Sequence, residues 1–286
     1  MIQKRDHQLI FLRVPLLFGL SITIYPQGGA MGHFDKAQCN QKIVVFSNQK
    51  GGVGKTTLTR ELGIYLASSG KRVLAIDLDP QANLTRSLTD KEHPGCHEAI
   101  TGQHYDVVDV QPGLSLLSGD IKMAMLEKAL IAEIDAYTRL KELLEDSFFS
   151  IYEYILIDSP PSLGVLTVNA LTAAEYLIIP MNPSLYSMQG TNDLMATVQK
   201  VKKSLNSNLK LLGVIINAFD SRPIITREIR EEIQSVFGEK VFNNVISKTI
   251  KIEEAISQKI GIIYLNARAR EEITSIGNEL LQRLGG

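Results

Sequence analysis

Ten consecutive residues, Asn48-Gln49-Lys50-Gly51-Gly52-Val53-Gly54-Lys55-Thr56-Thr57, carry the pattern in this chain best suited to chemistry. Gly51, Gly52 and Gly54 let a backbone turn with its N–H groups directed inward, Lys55 can reach the β- and γ-phosphates of a nucleotide, and the Thr56 hydroxyl can ligate Mg²⁺. Val53 and Thr57 complete the loop, and a helix beginning near Lys55 would add the positive end of its dipole. The usual G-x-x-x-x-G-K-[ST] spacing asks for glycine at position 49, where this chain has Gln49. The loop therefore has the form K-G-G-x-G-K-[ST], and its second lysine, Lys50, is one that a phosphate cradle alone does not require. The plain alternative is a glycine-rich surface turn.

The flanking elements argue for the cradle. Residues 42–48 form a short apolar run rich in β-branched side chains, and residues 58–67 repeat apolar positions at helical spacing, so strand, loop and helix follow in the order a P-loop needs. Two further strands end in carboxylates. Residues 72–77 finish at Asp77, with Asp79 two positions on, and residues 154–158 finish at Asp158 ahead of Ser159-Pro160-Pro161-Ser162-Leu163-Gly164. In open α/β sheets ligands bind at the carboxyl ends of strands. Asp158 suits a Walker B acid that holds Mg²⁺, the alternative being a strand-end cap of the next helix. Asp77 and Asp79 would share a side of an extended chain, so a joint role near the phosphates is open to them, as is simple capping of a turn. The same rhythm predicts strands at 114–119, 176–180, 211–217 and 241–246. It predicts helices at 121–132, 135–148, 188–205, 224–237 and 267–284. Alternating strands and helices imply an α/β fold, a mostly parallel central sheet with helices on both faces.

The chain has 286 residues, 44% of them hydrophobic, enough for one large α/β domain over 41–286. A formal net charge of −1 provides no global basic field, so contact with nucleic acid would need a local patch. Cys39 and Cys96 have no His or Cys neighbours at metal-ligand spacing and read as free thiols of a reducing cytosol. Residues 1–40 read as a leader. Lys4 and Arg5 precede an apolar stretch over 9–25 that Arg13 and Pro15 interrupt, leaving it short for a membrane span. It fits an upstream non-native start with Met31 as initiator, the favoured reading, or a membrane-associating leader, or a small packed addition.

The stretches Lys50–Thr57, Asp77-Leu78-Asp79-Pro80-Gln81-Ala82-Asn83-Leu84-Thr85 and Asp158-Ser159-Pro160-Pro161-Ser162-Leu163-Gly164, followed by Leu166-Thr167-Val168-Asn169-Ala170-Leu171, resemble the ParA/Soj-type partition ATPases, within the wider group that includes MinD. The resemblance covers roughly residues 42–284. It implies an ATP-dependent homodimer with nucleotide sandwiched between subunits. Lys50 would cross to the partner's phosphates while Lys55 serves its own, Asp79 would orient the attacking water, and Asp77 would order the loop near Lys50 and Mg²⁺. Asp158 would be the Walker B acid. Asn217, ending an apolar strand, is the candidate for adenine recognition, a strand-end turn residue being the alternative. Arg222, Lys248 and Lys251 match a region that carries basic DNA contacts in Soj-like proteins. Implied partners are nonspecific double-stranded DNA and a ParB-like activating protein, in the cytoplasm and on the nucleoid.

The chain departs from the family where Ser247-Lys248-Thr249-Ile250-Lys251 and Tyr264-Leu265-Asn266-Ala267-Arg268 replace its more usual sequences, which puts nucleotide-side loops and DNA contacts there in question. The expected function is chromosome or plasmid partition, with nucleoid-based cargo positioning as a close alternative. A MinD-like membrane switch would use Leu280, Leu281, Arg283 and Leu284 as an anchor, but Glu279 and the scarcity of flanking basic residues disfavour a membrane role. A metabolic ligase or iron–sulfur reductase would need a pocket motif or bridging cysteines that the sequence does not offer.

Overall fold

Successive residues of a strand face opposite sides of its sheet, and the buried side chains of this protein divide accordingly into two cores. Val45, Leu74, Ile76, Ile155 and Ile157 lie in one, while Val44, Phe46, Val73, Ala75 and Leu156 lie in the other. The computed structural model describes residues 41–184, 189–218, 220 and 224–285. Arg222 and Cys39, and the leader over 1–40, lie outside the described residues.

In chain order the elements are β1 (Lys42–Phe46), α1 (Lys55–Ser68), β2 (Val73–Asp77), α2 (Asn83–Leu88), α3 (Cys96–Ile100), β3 (Val108–Gln111), β4 (Leu114–Leu117), α4 (Met123–Leu130) and α5 (Arg139–Leu144). They continue through β5 (Tyr154–Asp158), α6 (Val165–Ala173), β6 (Tyr176–Met181), α7 (Gln189–Ser204), β7 (Lys210–Ile216), α8 (Ile224–Phe237), α9 (Lys251–Ser257) and α10 (Ala267–Leu284). The seven strands form one sheet in the order β3-β4-β2-β5-β1-β6-β7. Every pairing is parallel except β3 with β4. Phe46 and Asp77 both pair with Asp158, so β1, β2 and β5 end level at one edge. That edge carries the chemistry. All five residues of β5 are buried, as a strand covered on both faces requires, and truncating Ile157 to alanine there would cost about 2–5 kcal/mol.

The α1 helix lies between the sheet and α10 and is buried nearly all round. Its Arg60 and Glu61 are wholly buried, form an ion pair, and bind neighbouring backbone. Arg60 donates to the carbonyls of Ser87, Ala255 and Ile260, and Glu61 accepts from the Ile262 N–H. Burial lowers the Arg60 pKa and raises that of Glu61, each opposed by its partner. Removing either would strand a buried charge, at about 3–5 kcal/mol.

Two expectations need correction. The segment 241–246 is no strand: among the described residues it meets β7 through one bridge, Val241 to Val214, and through the Phe242 and Ile246 N–H groups on the Val214 and Ile216 carbonyls, while the Asn243 and Ser247 N–H groups turn to the α10 carboxylates of Glu279 and Glu272. The helix expected over 135–148 shrinks to α5, because Asn169 takes the Ala136 carbonyl and the Leu140 N–H, and Asp146 caps a separate 3₁₀ turn over Ser147–Ile151. The last helix packs against the domain, as expected, rather than serving as a membrane anchor: Leu280 and Leu284 are core residues and Arg283 lies over the Phe242 ring. Among the described residues no helix is long and apolar enough to cross a membrane.

Candidate functional site

Between β1 and α1 the chain turns through Gly52 (φ 71°) and Gly54 (φ 96°), backbone conformations that cost an L-residue about 1–2 kcal/mol. At Gly54 the restriction is also spatial, since a Cβ would lie 2.0 Å from the Asn217 amide nitrogen. Three asparagines from strand ends hold the loop from below. Asn48 donates to the Pro180 carbonyl at 2.7 Å and accepts from the Lys50 N–H at 3.0 Å, Asn182 donates to the Gly52 carbonyl at 2.9 Å, and Asn217 donates to the Val53 carbonyl at 3.1 Å. The structure thus places Asn217 beneath the phosphate loop, where its buried Oδ1 has no partner among the described residues.

Lys55, the first residue of α1 and the one directly after Gly54, is buried. Its Nζ lies 3.3 Å from the Lys50 carbonyl. Burial lowers its pKa, and the charges of Asp158 and Asp79 oppose that shift. Thr56 donates to Asp158 Oδ2 at 2.6 Å, while Asp158 Oδ1 is buried without a partner among the described residues. Burial, reinforced by Asp77, raises the Asp158 pKa well above the carboxylate range. A buried acid with one orphaned oxygen, joined to a hydroxyl on the first turn of a helix, fits a hard divalent cation with oxygen ligands. Thr56 and Asp158 would hold Mg²⁺ there, and the backbone N–H groups of the loop, with Lys55, suit the phosphates of ATP.

Asp77 serves the adjoining loop. Its Oδ2 accepts from the Thr85 N–H and hydroxyl, each at 2.8 Å, and its Oδ1 accepts from the Asp79 N–H at 3.1 Å. Thr85 in turn accepts the Gly119 N–H at 2.9 Å, which ties α2 to the end of β4. Complete burial pushes the Asp77 pKa up to about 6, against the pull of those donors. Asp79 is buried beside Lys55 and accepts the Gln81 N–H at 2.9 Å.

The structure therefore brings Lys50, Lys55, Thr56, Asp77, Asp79, Asp158 and Asn217 to one sheet edge. Lys248 stands on the segment leading into α9 and is exposed, and Lys251, the first residue of α9, is paired with Glu254. Sequence reading assigned no role to Thr85, Asn48 or Asn182. Thr85 had a signal, its place eight residues after Asp77, within the Asp77–Thr85 stretch that resembles the family. Asn182 had only its position at a strand end.

A family model for an AAA domain matches residues 41–211. The sporulation initiation inhibitor protein Soj of Bacillus subtilis is 39% identical over 238 residues, covering 80% of this chain and 93% of that protein. The chromosome-partitioning ATPase Soj of Thermus thermophilus is 39% identical over 217 residues, covering 75% of this chain and 84% of that protein. Among solved structures, cobyrinic acid a,c-diamide synthase from Mycobacterium smegmatis with bound ADP and magnesium superposes with a TM-score of 0.74. It is 30% identical and covers 86% of this chain and 96% of that one.

Proposed function

We propose, from the premise that the chain belongs to the Soj/ParA family of chromosome-partitioning ATPases, that it is a partition switch in which ATP closes two subunits on each other and on DNA. The activity is hydrolysis of ATP with Mg²⁺. The observation that carries the mechanism is the meeting of two lysines, Lys50 and Lys55, with the Thr56–Asp158 pair on one sheet edge. A single lysine would serve a phosphate cradle; the second is surplus to one subunit and suits the nucleotide of another.

In this reading Lys55 neutralises the phosphates of its own subunit and Lys50 those of the partner. Thr56 and Asp158 would hold Mg²⁺, which when bound supplies charge neutralisation to the nucleotide phosphates. Asp79 orients the attacking water, and Asp77, through Thr85, fixes the loop that carries Asp79. Phosphoryl transfer needs little covalent chemistry from the protein, so positioning and charge neutralisation account for the rate. Asn217 sits beneath the loop, and its unpartnered Oδ1 would meet an adenine amine once the loop moves to uncover it. The DNA surface includes Arg222 and Lys248, with Lys251 a weaker member because Glu254 neutralises it. Pairing two weak surfaces in one dimer raises affinity by roughly 10²–10⁴, so ATP controls DNA binding without altering a contact. A ParB-like protein would stimulate hydrolysis and release the dimer, in the cytoplasm and on the nucleoid.

A ligase like the synthase it resembles would need a small-molecule pocket beside the phosphates, and the motifs along this chain follow Soj instead. Sedimentation of the purified protein on DNA and on liposomes, each with ATP and with ADP, tests the reading. Pelleting with DNA in ATP alone supports it; pelleting with liposomes, or with neither, overturns it.

A further inference from the structure

The end of β6 grips the front of the phosphate loop at two points. Asn182 donates to the Gly52 carbonyl at 2.9 Å, and two residues on, the Ser184 hydroxyl accepts from Lys50 Nζ at 2.7 Å. Both Lys50 and Ser184 are half-buried, so this charge-assisted contact is sheltered from full solvent competition. At the base of the same lysine, the Lys50 N–H is fixed by Asn48, and Gly190 near the start of α7 packs beside Gln49 and Asn48. The Lys50 side chain is therefore directed onto its own subunit.

We propose that Ser184 is a positioning residue for Lys50: it holds the lysine in a rest position on its own chain, and this contact must break before Lys50 can reach a partner's nucleotide. The inference rests on the cross-interface role of Lys50 stated above. Chemistry supports competition between the two positions. An ammonium offers three donors on a flexible stem, and a serine hydroxyl is a neutral acceptor that two or three anionic phosphate oxygens outbid. The contact is thus strong enough to order the lysine in the monomer and weak enough to yield when ATP is presented across an interface. Dimerisation requires two lysines to leave, one from each subunit, so the effect of Ser184 enters twice.

The side chain at 184 then sets the dimerisation threshold, and its sign can be chosen. Ser184→Ala removes the acceptor and should lower the dimer dissociation constant, measured by analytical ultracentrifugation with Mg²⁺ and the non-hydrolysable analogue AMPPNP, by roughly fivefold or more. Ser184→Asp replaces a neutral acceptor with an anion, holds the lysine harder, and should raise that constant by a similar factor. Ser184→Thr keeps the hydroxyl and should match the parent. Acetylation of Lys50 by an amine-reactive ester in nucleotide-free protein, read by peptide mass spectrometry, reports the rest position directly. It should speed up in Ser184→Ala and slow in Ser184→Asp.

Opposite shifts from alanine and aspartate in both assays support the proposal, since a purely structural role would move both variants the same way. Unchanged Lys50 acetylation in Ser184→Ala overturns it, and so do dimer constants that shift in one direction or not at all. Should Lys50→Ala dimerise like the parent, the cross-interface reading itself fails, a result separate from any outcome at Ser184.

Discussion

Replacing Thr85 by valine removes one oxygen and leaves the shape, so its effect isolates the hydrogen bonds that join the Asp77 loop. The hydroxyl donates to Asp77 Oδ2 and accepts the Gly119 N–H. A hydrogen bond to an ionised group contributes about 1.5–3 kcal/mol, and stranding the buried Gly119 N–H costs about 1 kcal/mol, so the expected loss at pH 8 is about 2.5–4 kcal/mol. For a domain of this size that lowers Tm by roughly 5–15 °C. The loss should depend on pH. Folding raises the Asp77 pKa from 3.8 to about 6, so the folded protein holds this proton more tightly than the unfolded chain. The stabilisation from protonation is complete below the unfolded value of 3.8 and fades as pH rises through 6. At pH 5 Asp77 is mostly neutral in the folded protein, and the lost hydroxyl no longer serves a charge. The penalty there should fall to about 1.5–2.5 kcal/mol. Urea unfolding of parent and variant at pH 5 and pH 8 measures both. A penalty under about 0.5 kcal/mol, or one larger at pH 5 than at pH 8, refutes the assignment of Asp77 as an ionised acceptor for Thr85.

Gly54→Ala should lose nucleotide binding outright, because the new Cβ meets the Asn217 amide and the residue cannot relax from its left-handed backbone; isothermal titration with ATP checks this, and parental affinity would contradict it. Asp79→Ala should keep ATP binding and dimer formation while hydrolysis falls by about 10² or more, seen as phosphate release against light scattering. Normal turnover would reassign Asp79 to structure. Lys248→Glu should reduce the salt slope of log K for DNA by about 0.9 per lost phosphate contact, whereas Lys251→Glu should change it less, since Glu254 already neutralises that lysine. Equal effects from the two would show that the Lys251–Glu254 pair opens on DNA.

The central strands were legible because burial on both faces leaves β1, β2 and β5 as unbroken apolar runs, two of them ending in aspartate. The long helices α8 and α10 were legible down to their termini from apolar positions recurring at helical spacing. Short elements set by partners were not. Edge strand β3 gains its order from pairing with β4 across Pro112 and Gly113, and α5 is cut by Asn169 from another helix. In the site, the motif residues announced themselves by type and spacing. Asn182 did not, because its role depends on β6 lying beside β1 in the sheet, a neighbour relation that no local pattern encodes. Lys251 looked like a free basic group until Glu254, one helical turn away, was seen to pair with it.

The claim that two lysines of one loop serve two different nucleotides is tested most directly by light scattering of Lys50→Ala and Lys55→Ala, with and without ATP and Mg²⁺, alongside ATP titrations of each monomer. The account predicts that Lys55→Ala loses ATP binding and with it the dimer, whereas Lys50→Ala binds ATP like the parent and stays monomeric. Dimerisation of Lys50→Ala at parental ATP and protein concentrations would contradict it.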